Sequence, residues 1–468
     1  MSNKNELELY NAASKGSLKD VEHCLGLDDI DINYTNNNYN CLGYTPLIIA
    51  SLKGYVPIVT LLLEHGVDIN KPDKYGQTAI YMASSLGNVS IVSLLLQHGA
   101  ELSNKKCSPL IEASKNGHIS VVDLLLKHGA GADINKTKID EKTSLYWASL
   151  NNHIQIVTLL LEYGANVNIV DKFGYTPLFE ATSKGHISIV TQLLQHGANV
   201  NFVNIYGYPP LYVATRNHEL VTLLLKHGAD VNKTSYNGFT PLSSAIEKGK
   251  DDVVEILLQH GADVNKEDGY RRTPLLNASI HGYERIVKLL IQYGADVNKE
   301  SKCAKIPLIE ASKNGHTQVV LQLIQHGADV NKTDNNNDTS LICASEKGHD
   351  QVVTQLLQHG AGAGSNVNNK NNNGETPLIC ASTNGHVQVV IQLLLHGADV
   401  NETDNRGKTP IFRALQNNNA QLVMLLRLFS EPTSHVSLIM VVMMMEHLVV
   451  YHEINGTQVM IDFYEYLL

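Results

Sequence analysis

Residues Gly374 to Asn401 read GETPLICASTNGHVQVVIQLLLHGADVN, and this stretch decides the fold. Gly374 supplies the positive backbone angle of a tight turn. Thr376 and Pro377 open a helix, because a threonine side chain caps free amides and proline suits a first turn. Leu378 to Thr383 is long enough for two turns before Asn384 and Gly385 break the chain. A second helix is expected over Val387 to Leu395, where Val389, Val390, Leu393 and Leu394 recur at helical spacing. Gly397 sits where that helix would end in the left-handed region, with His396 in the last turn. Asp399-Val400-Asn401 then starts a link.

Such a unit cannot stand alone. Each helix is shorter than the ~12–15 residues an isolated helix needs, so its apolar side chains require neighbours on both sides. The sequence supplies them. The terminal glycine returns at Gly66, Gly99, Gly129, Gly164, Gly197, Gly228, Gly261, Gly294, Gly327, Gly360 and Gly397, and six of the ten spacings are 33 residues. A fixed period of two helices and a turn is a stacking architecture.

The helix starts at Thr45-Pro46-Leu47, Thr176-Pro177-Leu178, Thr240-Pro241-Leu242, Thr273-Pro274-Leu275 and Thr376-Pro377-Leu378 share one pattern. So do the turns at Gly117-His118, Gly185-His186, Gly315-His316, Gly348-His349 and Gly385-His386, and the GADVN links. In these features the chain resembles the ankyrin repeat family over about nine-tenths of its length. The resemblance implies an all-α solenoid of stacked helix-turn-helix units with β-hairpin-like link loops. It also implies partner binding on the concave finger and groove surface. One departure is systematic: where the family continues TPLH, this chain places Ile48, Tyr146, Phe179 or Ile379. Apolar contact is expected there in place of a polar tie.

The repeat overrides the compact-domain expectation for 468 residues. Residues 1–30 are expected to form a capping repeat, with Glu6, Glu8, Lys19 and Glu22 on its wet outer face. Residues 31–430 hold twelve tandem repeats, opening at Thr45, Thr78, Ser108, Thr143, Thr176, Pro209, Thr240, Thr273, Ile306, Thr339, Thr376 and Thr409. Register lesions fall before Ser108, at Arg216-Asn217-His218, at Gly131-Ala132 and at Ala361 to Ser365, all in turns or links. The Asn-rich run Asn36 to Asn40 lengthens the first link. Residues 431–468 break the pattern, and their apolar run Val436 to Met445 is too short for a membrane span of ~20 residues. Codons for Asn-Asp-Asp-Gly read one base over give Met-Met-Met and then Glu or Asp, which matches Met443 to Glu446. A degenerate or frameshifted fourteenth repeat is therefore the preferred account of the tail, ahead of a dedicated motif.

The formal charge of -10, from 46 acidic and 36 basic residues, argues against a nucleic-acid partner, which requires a basic face. The N-terminus MSNKNELELY lacks the apolar core of a signal peptide, so a cytoplasmic location is expected. The six cysteines contain no CxxC pair, and Cys343 and Cys380, equivalent in their repeats, read as buried free thiols. The 21 histidines recur by repeat, and equivalent ones would lie ~8–10 Å apart, too far to share a zinc ion. No nucleophile-base arrangement, phosphate loop or HExxH can be read. Neither catalysis nor any cofactor, metal or small-molecule substrate is expected.

What varies between repeats is the finger tip. Tyr44, Tyr75, Phe173, Tyr175, Tyr206, Tyr208, Tyr236, Phe239 and Tyr270 give way to Lys302, Lys305, Asn335 to Asn337, Asn371 to Asn373, Asn405 and Arg406. Exposed aromatics are common interface anchors. The partner is therefore expected on Phe173, Tyr175, Tyr206, Tyr208, Tyr236, Phe239 and Tyr270, beside groove residues that include Arg216 and Lys248. The alternative is that the tip rings pack on neighbouring fingers. The function expected is a monomeric, non-catalytic scaffold for a protein or extended peptide, with neither nucleic acid nor membrane as partner. The alternatives are an adaptor recruiting a client to an enzyme complex through residues 431–468, or part of an enzyme or channel whose working portion lies elsewhere.

Overall fold

The computed structural model describes residues 2–36, 42–102, 107–138, 140–301, 304–361 and 367–430. Expectations about Asn37 to Asn40, Lys302, residues 362–365 and the tail from residue 431 lie outside the described residues.

The described residues form 26 α-helices in successive pairs, from Ser2–Lys15 with Leu18–Leu25 to Pro410–Gln416 with Ala420–Ser430. Their packing is that of an ankyrin solenoid. Among the described residues, β-type pairing is confined to isolated antiparallel bridges, Asn36 with Tyr44 and Thr333 with Thr339. The chain divides into two compact units: Met1–Ser244 with Gln259–Gly261, and Ala245–Leu258 with Ala262–Leu468, the latter described to Ser430.

In the second unit, the deciding stretch folds as its residues dictate. The Thr376 hydroxyl accepts from the Ile379 amide at 3.3 Å and Pro377 begins the helix Pro377–Asn384. Gly385 ends it at φ 81°, and the helix Val387–Leu395 follows. Val389, Val390, Leu393 and Leu394 are buried. Each such burial contributes roughly 1.5–3 kcal/mol, which no isolated pair of short helices could gather. In the first unit Thr45, Thr143 and Thr176 cap in the same way. The residue that replaces the family's histidine is buried at Ile48, Tyr146, Phe179 and Ile379. The cap threonine, not that side chain, is what satisfies the helix start.

Two polar ladders tie one layer to the next inside each unit. The first uses the histidine of the helix-helix turn. His118 Nε2 lies 3.0 Å from the Ser85 carbonyl, His153 Nε2 3.1 Å from Lys115, and in the second unit His386 Nε2 2.9 Å from Glu346. A carbonyl partner makes each of these nitrogens the N–H donor. The second ladder uses the link asparagine. Asn201 Oδ1 accepts from the Asp230 amide at 2.7 Å, while its Nδ2 donates to the Gly228 carbonyl at 3.0 Å. Asn298 repeats the device with Asp329 and Gly327. A separate set of histidines closes the second helices, as where His196 Nδ1 donates to Gln192 at 2.8 Å. Structural work thus accounts for these recurring histidines.

The capping pair departs from expectation at one residue. Glu6 is buried, not on the wet face, because residues 6, 9, 10 and 13 share one side of Ser2–Lys15 and Leu9, Tyr10 and Ala13 face inward. At the lesion near Arg216 the first helix shrinks to Pro210–Ala214, and Asn217 replaces the turn histidine by capping His218–Lys226 through the Glu219 and Leu220 amides.

Candidate functional site

The fingers are built from a short polar residue, a tip and a glycine. Asp171 Oδ1 accepts from the Phe173 and Tyr175 amides, both at 2.9 Å, and the Asp171 amide returns a bond to the Tyr175 carbonyl at 3.0 Å. Asn204 does the same for Tyr206 and Tyr208, at 3.0 Å each. Ser235 completes the series more weakly, holding the Phe239 amide at 3.1 Å. A carboxylate or amide that takes two amides of its own turn leaves that turn little freedom.

Adjacent fingers are then joined through their backbones. The Ile205 amide donates to the Phe173 carbonyl at 3.0 Å, and the Tyr236 amide to the Tyr206 carbonyl at 3.1 Å. Gly207 marks the closeness of that joint: a Cβ there would meet the Tyr236 nitrogen at 2.5 Å.

The aromatic tips fall into two classes. Phe173, Tyr206 and Tyr236 are exposed, at 42, 53 and 75%. Tyr175, Tyr208 and Phe239 are half-buried. Tyr175 lies 4.9 Å from Phe179, and Tyr208 4.4 Å from Tyr212, centroid to centroid. Tyr175 and Tyr208 therefore each pack on their own repeat's first helix and support the exposed ring beside them, 6.5 Å away in both cases. Arg216 is exposed at the end of the shortened helix-helix turn. Tyr270 and Lys248 belong to the second unit. There Tyr270 is 62% exposed, with the Arg272 guanidinium 4.7 Å from its ring and Asp268 holding its amide at 2.8 Å.

A further cluster in the first unit escapes any single-position reading of the sequence. Trp147 is half-buried on the helix Ser144–Leu150, with the Lys115 ammonium 4.6 Å and the Lys142 ammonium 4.8 Å from its ring. The neighbouring Tyr146 hydroxyl contacts Asp171 at 3.2 Å and Glu180 at 3.1 Å. Burial raises the Glu180 carboxyl above its ordinary range, against the lowering effect of the Tyr146 bond and the Lys142 charge. Burial, with the Glu180 and Asp171 charges, also raises the Tyr146 phenol, so it stays a donor. A signal was present: Trp147 is the single tryptophan and stands about one period after Lys115.

Among the described residues no group of three His, Cys, Asp or Glu could hold a metal ion, and no helix is long and apolar enough to cross a membrane. Cys24, Cys343 and Cys380 are free, buried thiols, and Cys107 is buried with its Sγ 3.8 Å from the Tyr75 carbonyl.

Comparison with known proteins follows the same repeat. The family model described as ankyrin repeats (3 copies) matches in seven overlapping placements: residues 9–106, 101–171, 145–235, 200–268, 232–301, 275–369 and 363–434. Ankyrin repeat and SAM domain-containing protein 3 of Homo sapiens is 42% identical over 66 residues, 14% of this chain and 10% of that protein. Palmitoyltransferase akr1 of Schizosaccharomyces pombe is 40% identical over 62 residues, 13% of this chain and 9% of its own. These matches span only about a tenth of the relatives' own length, too little to carry over an activity.

Proposed function

Because the chain belongs to the ankyrin repeat family, a protein-interaction architecture, we propose that it binds a protein or extended peptide through the aromatic fingers of its first unit. The single observation that carries this reading is the run of Phe173, Tyr206 and Tyr236. Three exposed rings stand on successive fingers whose backbones are bonded to one another. Large rings with few rotors, held in advance, lose little entropy on binding and act as anchors. Tyr175 and Tyr208 support Phe173 and Tyr206 from behind, Phe239 is a further contact on the finger of Tyr236, and Arg216 adds a cation at the margin. Tyr270 and Lys248 are proposed contacts on the second unit.

The scaffold acts without catalysis, as a monomer and in the cytoplasm. The net charge of -10 favours protein over nucleic acid as partner. A photo-crosslinking residue in place of Tyr206 should trap one recurrent partner, and the same residue in place of Asn336 should not. Equal trapping at both positions, or trapping only at Asn336, would move the site off the aromatic fingers.

A further inference from the structure

We infer that the Lys115–Trp147–Lys142 cluster is a docking platform for an acidic segment of the protein partner, with a carboxylate side chain beside an apolar one. This rests on the scaffold reading above and specifies the chemistry of what it binds.

Lys115 and Lys142 both lie over Trp147, so their ammonium groups stand within about 10 Å of each other, near one Debye length at 0.1 M salt. Stacking on the ring leaves their N–H donors available, since the ring attracts each cation without accepting all its hydrogens. Two neighbouring carboxylates are already committed. Glu112 pairs with Lys138. Asp171 holds two finger amides and the Tyr146 hydroxyl, and approaches Lys142 only at 3.9 Å. Among the described residues, Lys115 pairs with no carboxylate. A partner carboxylate reaching either ammonium group would offset its charge, and an adjacent apolar side chain would cover the open part of Trp147.

The platform is also held in place. The Lys115 carbonyl accepts from Asn151 Nδ2 at 2.8 Å and from His153 Nε2 at 3.1 Å, both in the repeat that carries Trp147. Lys142 immediately precedes Thr143, whose hydroxyl caps the Trp147 helix. The Lys172 amide reaches the Asp140 carbonyl at 3.5 Å, and the Lys172 ammonium lies 4.8 Å from the Phe173 ring. The platform therefore continues into the finger that bears Phe173. An extended segment could place an acidic residue at Trp147 and apolar residues on the tips.

Because Trp147 is the single tryptophan, its emission reports this site alone. The full chain is titrated with a capped hexapeptide alternating glutamate and leucine, with its lysine-leucine counterpart, and with a single-stranded oligonucleotide. The expected result is a saturable emission change with the acidic peptide only. Lys115→Gln and Lys142→Gln should each weaken it on the order of tenfold, with Lys115→Arg largely restoring it and thermal melting unchanged. No saturable change, an equal change with the lysine peptide, or indifference to both lysine variants would overturn the assignment. An equal response to the oligonucleotide would replace the acidic segment with a nucleic acid. Tip-dependent crosslinking at Tyr206 that survives such a failure would leave the scaffold reading standing. Loss of that crosslinking with the peptide response intact would remove the finger site and leave the platform.

Discussion

The Tyr236 amide donates to the Tyr206 carbonyl across 3.1 Å, which fixes two exposed rings of adjacent fingers in register through backbone rather than side-chain contact. The joint is close because Gly207, at φ 80°, leaves no side chain between the strands of contact. Gly207→Ala would add left-handed strain and a Cβ 2.5 Å from the Tyr236 nitrogen. Gly197, at φ 82°, has nothing within 4 Å of the same added atom. Gly197→Ala should therefore cost about 1 kcal/mol and Gly207→Ala at least about 2–3 kcal/mol in chemical denaturation. Equal costs would show that the joint does not depend on that close approach.

Asn201 spans two layers with one side chain, taking the Asp230 amide and giving to the Gly228 carbonyl. Both bonds are exposed, so water would replace them in part. Asn201→Ala should destabilise the first unit by about 1–2 kcal/mol, whereas Asn336→Ala at an exposed finger tip should change stability by less than about 0.5 kcal/mol. Denaturation midpoints of the two variants, compared at matched slopes, measure the contrast.

Glu180 is a carboxyl raised by burial from its ordinary value of 4.5. Between that value and the raised native one, the native state keeps a proton that the unfolded chain has lost. Stability from this group therefore falls as pH rises through the window, and a constant penalty remains above it. A glutamine still accepts from the Tyr146 hydroxyl. Glu180→Gln should thus melt higher than the parent at pH 7, and the advantage should vanish below pH 4.5. Lower melting at pH 7 would mean that the ionised carboxylate is net favourable.

Cys343 and Cys380 are both buried at 5% exposure. Burial pushes the Cys343 thiol up to about 12, helped by Asp338, and the Cys380 thiol also up, helped by Glu375. The thiolate is the reactive form, so native labelling by iodoacetamide at pH 8 should be at least about a hundredfold slower than for the unfolded chain. Mass spectrometry of the labelled peptides over time would show it. Rapid labelling would show that these helices open readily.

The helices were legible because most units repeat a cap threonine, a turn glycine and the apolar spacing, and Gly374 to Asn401 by itself contains all three. The exposed tips were legible too, as departures from a repeating background. What position-by-position reading missed depends on neighbours in space, some a helical turn away along the chain and some one period away. Tyr175 and Tyr208 look like Phe173 and Tyr206 in the sequence, yet Phe179 and Tyr212 take up one face of each. Lys115 and Trp147 belong to different repeats, and only stacking brings them together. Glu6 reads as a solvated charge until the helical turn from residue 6 to residue 13 is followed inward.

If the aromatic fingers are the docking site, binding energy concentrates on the exposed rings of the first unit. Binding of the crosslinked partner, once purified, should be measured by calorimetry for Phe173→Ala, Tyr206→Ala, Tyr236→Ala, Asn336→Ala and Asn373→Ala. The tip aromatics should each cost about 2 kcal/mol or more, roughly thirtyfold in Kd, and the asparagine tips little. Losses at Asn336 and Asn373 equal to those at the rings, or none at Tyr206 and Tyr236, would contradict it.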